Sequence, residues 1–269
     1  MNGDRLMKPK TLFLMTALGT LSAGAFAQTL NNPFTLLEVG HTDLQHNYDG
    51  GWEFEVETST DAFEPDDVLL YLNPSTRRNA TSTIAGLLGI ASGAQYWRLF
   101  KDQSANPAGI WLGVASEETA PGTFSSYDPS APGNPGGSFP QAPVGSQPWM
   151  RLDLLSVTSP GGGAAPGNLA VWNVGDNGTE RVWDTLDGSY ANDQYWMLEG
   201  GHNHLNWGFS APGLYEVTLQ ASGLIGTNYV TSGPVTWHFG VEAAPVPEPA
   251  TLAALGFGAA ALLRRRRKG

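Results

Sequence analysis

Residues 52–57 alternate without a break between apolar and acidic side chains: Trp52, Phe54 and Val56 on one side, Glu53, Glu55 and Glu57 on the other. A period of two belongs to a half-buried strand, because successive side chains point to opposite faces. Short apolar runs of strand length recur at 34–39, 68–72, 95–100, 110–114, 150–157, 169–174, 181–184, 214–219 and 235–241. Turn-forming stretches separate them, drawn from 34 glycines and 19 prolines. Residues 80–93 are small and weakly apolar and take no assignment, and no helix is expected in the body of the chain. Residues 120–148 hold seven prolines and five glycines and read as a long loop. The expected fold is all-β, a β-sandwich of roughly ten short antiparallel strands. A hairpin built from residues 34–57 would set His41 and Asp43 at a strand end.

The two ends stand outside that body. Residues 1–27 have the form of a secretory signal: basic Lys8 and Lys10, an apolar core starting at 11–18, and a small-residue cleavage site at Ala25 and Ala27 for signal peptidase. The surface domain is expected at 28–244, and 245–269 forms a separate terminal signal. Residues 28–247 carry 6 basic and 23 acidic side chains, a net charge of −17. Such a surface repels nucleic acid and draws cations. The chain has no cysteine, so disulfides and thiolate chemistry are excluded. A transition-metal site would have to use His, Asp or Glu.

Two of the five histidines, His202 and His204, sit one residue apart after Gly200 and Gly201. In extended chain they share a face, with Cα atoms about 7 Å apart, close enough for both imidazoles to reach one ion. His41 and Asp43 repeat that spacing. If the two pairs adjoin, three histidines and a carboxylate complete a tetrahedral zinc set. His46 is the reserve ligand. His238, between Trp237 and Phe239, is placed by alternation on an outward face. For His202 and His204, a polar strand start with two solvent-facing histidines is the plain alternative.

Pro247, Glu248 and Pro249 precede an apolar stretch at 250–263, then Arg264, Arg265, Arg266, Arg267 and Lys268. As a helix the apolar stretch would span about 21 Å, short of a bilayer core of about 30 Å. The ending resembles the PEP-CTERM sorting signal of exopolysaccharide-producing Gram-negative bacteria. That resemblance implies an exported precursor held at the inner membrane through its C-terminal segment, processing by an exosortase, and delivery to the outer surface or extracellular matrix. The body also resembles a family. His202, His204, Asn206, Trp207, Phe209, Gly213 and Tyr215 follow the H-x-H-x-N-W-x-F-x-x-x-G-x-Y motif of the choice-of-anchor M, or surface-anchored repeat, family. Gly40, His41 and Asp43 match its opening G-H-x-D. Residues 96–100 and 110–113 are similar to its central aromatic segment. The resemblance implies a metal-related surface role beside zinc- or manganese-type ABC transporters.

The expected function is therefore non-catalytic binding of a divalent metal, Zn2+ before Mn2+, through His41, Asp43, His202 and His204, in aid of metal acquisition. A structural or adhesive matrix protein is the alternative. A carbohydrate-binding module is another, given nine tryptophans and an exopolysaccharide setting, although Trp52, Trp97, Trp111 and Trp172 lie in apolar patterns that suit a core. A metal-dependent hydrolase would need an open coordination position. The sequence shows no nucleophile elbow, P-loop or dinucleotide fingerprint.

Overall fold

The computed structural model describes residues 30, 34–128, 130–133, 147–173, 180–191 and 193–244. Its strands begin with β1 (Thr35–Leu37), β2 (Gly40–Tyr48), β3 (Trp52–Thr58), β4 (Ala62–Phe63), β5 (Val68–Leu72) and β6 (Arg77–Asn79). A short helix, α1 (Ser82–Leu88), precedes β7 (Gln95–Leu99), β8 (Ile110–Ala115), β9 (Trp149–Ser159), β10 (Gly163–Ala164), β11 (Leu169–Asn173) and β12 (Glu180–Asp184). The last are β13 (Gln194–Leu198), β14 (His202–His204), β15 (Asn206–Phe209), β16 (Gly213–Ile225), β17 (Asn228–Thr231) and β18 (Val235–Val241). The two terminal signals, including Ala25, Ala27, Pro247, Glu248, Pro249 and Arg264 to Arg267, lie outside the described residues.

The all-β expectation holds as a sandwich-like arrangement of three sheets. The largest runs β1-β5-β18-β16-β9-β10, with β13 and β17 paired at its margins. The other two run β12-β11-β15-β7-β6 and β14-β8-β2-β3-β4. One apolar core takes residues from all three: Leu70, Val217, Trp237 and Phe239 from the first, Leu99 and Trp207 from the second, Leu44, Leu112 and Val114 from the third. Phe239 stacks on Trp207 at 5.6 Å, a direct contact between the layers. Apolar area removed from water at this interface is what holds sheets together in a chain without disulfides.

Three expectations are corrected. The strands outnumber ten and are not all antiparallel: β1 lies parallel to β5, β5 to β18, and β2 to β8. Residues 35–37 pair with β5, so the hairpin consists of β2 and β3 alone. Residues 80–93 include α1, capped by Thr81 and closed by Gly89 in the left-handed region. Ile84, Ala85 and Leu88 face Tyr96, Ala170 and Trp172 in a second core on the outer side of β11. The helix exists because that sheet face is apolar and needs a cover. Within 120–148, the described residues hold no helix or named strand, only a bridge between Ser126 and Pro148.

Candidate metal centre

Strand β2 divides its side chains by parity. Leu44 and His46 enter the core, whereas His41, Asp43 and Gln45 stand on the opposite face. Its neighbour β8 runs parallel, with His41 opposite Trp111 and Asp43 opposite Gly113. On the far side of β8, antiparallel β14 sets His204 opposite Gly113 and His202 opposite Ala115. The two pairs therefore meet across an intervening strand.

The turn that delivers β14 uses glycine twice. Gly200 has φ of 65°, a left-handed conformation that glycine adopts without penalty. A side chain on Gly201 would press on the Leu198 carbonyl at 2.6 Å. After Leu205 the chain changes sheets: Asn206–Phe209 pairs with β7 and β11, and Trp207 and Phe209 are fully buried. Asn206 Oδ1 accepts from the Arg98 guanidinium at 2.9 Å and from the Lys101 backbone N–H at 3.1 Å. One half of the motif thus anchors the segment, and the other half presents two imidazoles.

Four side chains converge. Asp43 Oδ1 lies 2.9 Å from His202 Nε2, and Asp43 Oδ2 lies 3.2 Å from His41 Nε2. His204 Nε2 is 3.0 Å from His202 Nε2 and 3.1 Å from His41 Nε2. One ligand atom from each of the four lies within 4.8 Å of every other, a group that can hold a metal ion. For bonds of 2.0–2.1 Å, the edge of a tetrahedral zinc shell is about 3.3 Å, close to these four separations, whereas His204 Nε2 stands farther from Asp43 Oδ1, at 4.0 Å. Three nitrogens at that spacing cannot all be satisfied by sharing protons among themselves, since a neutral imidazole offers one donor and one acceptor.

Asp43 is buried, and burial pushes its carboxyl pKa up, against the opposing pull of the His202 and His41 charges. Burial, with repulsion from His202 and His41, pushes His204 down to about 4. The Leu112 backbone opposes that shift weakly; His204 Nδ1 is buried without a hydrogen-bond partner, and Nε2 joins the cluster. On the other face of the ring, Trp111 stacks at 3.9 Å with an interplanar angle of 14°. Trp111 also lies 4.7 Å from the His41 ring and donates its Nε1–H to the Lys101 carbonyl.

Gly113 makes room for the group. A Cβ there would collide with Asp43 Oδ1 and stand 3.1 Å from both His202 Nε2 and His204 Cε1. Spacing in the sequence did not identify Gly113, Trp111 or Glu117, whose carboxylate lies 3.2 Å from His202 Nδ1. The central aromatic run was the one signal pointing toward β8.

His46 is not part of the site. Its position is of the opposite parity to Asp43, so its ring enters the core beside Trp237 at 5.2 Å and Phe54 at 5.7 Å. It donates Nδ1–H to the Leu44 carbonyl at 2.8 Å, and burial pushes its pKa down to about 4. His238 is buried too, contrary to the outward placement. A short turn at Pro65–Asp67 covers that face of β18, and Asp66 meets His238 Nε2 at 3.1 Å. Six of the nine tryptophans are buried, which leaves Trp52, Trp111 and Trp149 partly exposed.

Residues 245–268 match the PEP-CTERM protein-sorting motif. The motif marks an exported protein processed by an exosortase and anchored to membrane in the course of sorting. No curated protein matches the chain. Among the described residues, no helix is long and apolar enough to cross a membrane.

Proposed function

We propose that this exported chain is a non-catalytic binder of one divalent metal ion, Zn2+ in preference to Mn2+, through His41, Asp43, His202 and His204. The observation that carries the reading is the convergence of three imidazole Nε2 atoms and one buried carboxylate at near-tetrahedral spacing over Gly113. Imidazole nitrogens suit zinc, copper and nickel better than the oxygen-seeking Mg2+, Ca2+ or Mn2+. The core beneath the site is complete without an ion, since Leu44, Leu112 and Val114 are fully buried on the other face. In this reading the ion is bound as cargo on the outer face of β2 and β8. The acidic surface concentrates cations near the site, and delivery to the outer surface or matrix puts that site where metal is first met. The resemblance of residues 202–217 and 40–44 to the choice-of-anchor M motifs supports a part in metal acquisition beside an ABC transporter.

The test uses the full chain, purified in mild detergent and stripped of metal. Expected is one equivalent of zinc after dialysis, lost in a His202→Ala/His204→Ala variant whose metal-free circular dichroism matches the parent. A parent chain that takes up no zinc, copper, nickel or manganese would overturn the reading. The matrix or carbohydrate-binding alternative has one observation in its favour. A groove of about 870 Å³ along β3 is lined by Trp52, Phe54, Glu53, Glu55, Glu64 and Asp66, among others. Retention on exopolysaccharide by the metal-free chain, abolished by Trp52→Ala, would favour that alternative.

A further inference from the structure

We infer that Glu117 is a positioning residue of the metal centre, holding the outer nitrogen of His202 so that the inner one faces the ion. The inference rests on the metal-binding reading above. Glu117 Oε1 lies 3.2 Å from His202 Nδ1, the ring nitrogen turned away from the cluster. A carboxylate accepts and cannot donate when ionised, so this contact requires the proton on Nδ1. With the proton on Nδ1, Nε2 turns a lone pair toward Asp43 Oδ1 at 2.9 Å and His204 Nε2 at 3.0 Å; acceptors that close call for a cation between them, or for a proton shared between Nε2 and Asp43 when no ion is bound. A carboxylate behind a ligating imidazole fixes its tautomer and orientation and raises its basicity.

The placement of Glu117 is built in. It follows β8, the strand that supplies the floor of the site. The Ser116 N–H donates to the Gly201 carbonyl at 2.9 Å, tying this turn to the residue before His202. The Glu117 backbone N–H donates to Gln45 Oε1 at 3.4 Å, and Gln45 Nε2 donates to Glu57 Oε2 at 2.5 Å and reaches Glu117 Oε2 at 3.5 Å. Gln45 is buried on the same face of β2 as His41 and Asp43. The first pair's strand therefore orients, through Gln45 and Glu117, a ring of the second pair. His202 is the ligand with the greatest need of such support, because it lies at the first position of a three-residue strand.

The experiment compares the full chain with Glu117→Ala, Glu117→Gln and His202→Ala in detergent solution. Zinc affinity is measured by competition with a chromogenic chelator, and the tautomer of His202 by ¹⁵N chemical shifts in the metal-free protein. Expected for Glu117→Ala is a zinc affinity about 10–100-fold weaker at unchanged stoichiometry, together with a shift of His202 toward the Nε2–H tautomer. Glu117→Gln retains an oxygen acceptor and is expected to recover most of the tautomer preference and part of the affinity. Unchanged affinity and unchanged ¹⁵N shifts in Glu117→Ala would overturn the inference while leaving the metal site standing. If the parent chain bound no zinc, the metal reading would fall. The inference would fall with it, whereas zinc bound by the parent and unaffected by Glu117→Ala would defeat the inference alone.

Discussion

Strand β2 carries two histidines five positions apart, and they have opposite fates. His41 stands on the outer face among His202, His204, Asp43 and Trp111. His46 is fully buried, hydrogen-bonded only through Nδ1, with its Nε2 left without a partner. The same residue type is a proposed metal ligand on one face and a polar guest in the core on the other. What separates them is parity in a strand whose two faces meet different neighbours. On the inner face, function gains nothing and the buried imidazole costs stability once it charges. On the outer face, a buried carboxylate and three crowded nitrogens stand together, an arrangement that the proposed cation would favour.

Asp43→Asn gives the largest effect that separates the two faces. The substitution keeps the shape and removes the one anionic ligand, so zinc affinity is expected to fall on the order of 1,000-fold, or about 4 kcal/mol. Because burial disfavours the charged carboxylate, the metal-free variant should be at least as stable toward urea as the parent at neutral pH. A variant that lost stability and kept its zinc would reverse the assignment of the two faces.

His46 predicts a pH effect from the inner face. Its folded pKa of about 4 lies below the ordinary value of 6.5. In that window the unfolded chain binds a proton that the folded chain refuses, so stability is full above about 6.5 and is lost as pH falls toward about 4. The contribution amounts to about 3 kcal/mol. His46→Phe is expected to flatten the fall in urea midpoint between pH 7 and pH 4.5, leaving zinc stoichiometry at pH 7 intact. An equally steep fall in the variant would show that His46 is not its source.

Gly113→Ala returns to the outer face with the smallest change in atoms. Its added methyl would collide with Asp43 Oδ1, displacing one ligand by a fraction of its bond length. Zinc affinity should drop about 10–100-fold, by analogy with the loss of a group that orients a ligand. Gly113 has no positive φ to strain, and the metal-free protein is expected to remain folded. Parent-like zinc binding in Gly113→Ala would mean that the ion, if present, sits away from the β8 floor.

Much of this was legible from local pattern. Alternation at 52–57 gave a strand with an acidic face, and the i, i+2 spacing of His41 with Asp43 and of His202 with His204 gave pairs sharing a face. Their juxtaposition was not legible, because β8 enters between them through one parallel and one antiparallel ladder formed far apart in sequence. Nothing near residue 113 signals that the absence of a side chain matters there. His238 was misplaced because burial of its face depends on the turn at Pro65–Asp67, remote in sequence. Helix α1 was missed because its pattern is short and its apolar residues small, and packing on Trp172 rather than propensity stabilises it. Glu117 escaped notice because it lies in a turn, where periodicity carries no information.

The central claim is that three imidazoles and one carboxylate form a single coordination shell. X-ray absorption at the zinc edge, on the full chain loaded with one equivalent of zinc, tests it most directly. The expected spectrum has three nitrogen scatterers with outer-shell imidazole features and one oxygen, at about 2.0–2.1 Å. A shell of oxygen atoms alone, without imidazole multiple scattering, would put the ion on the acidic surface and contradict the account.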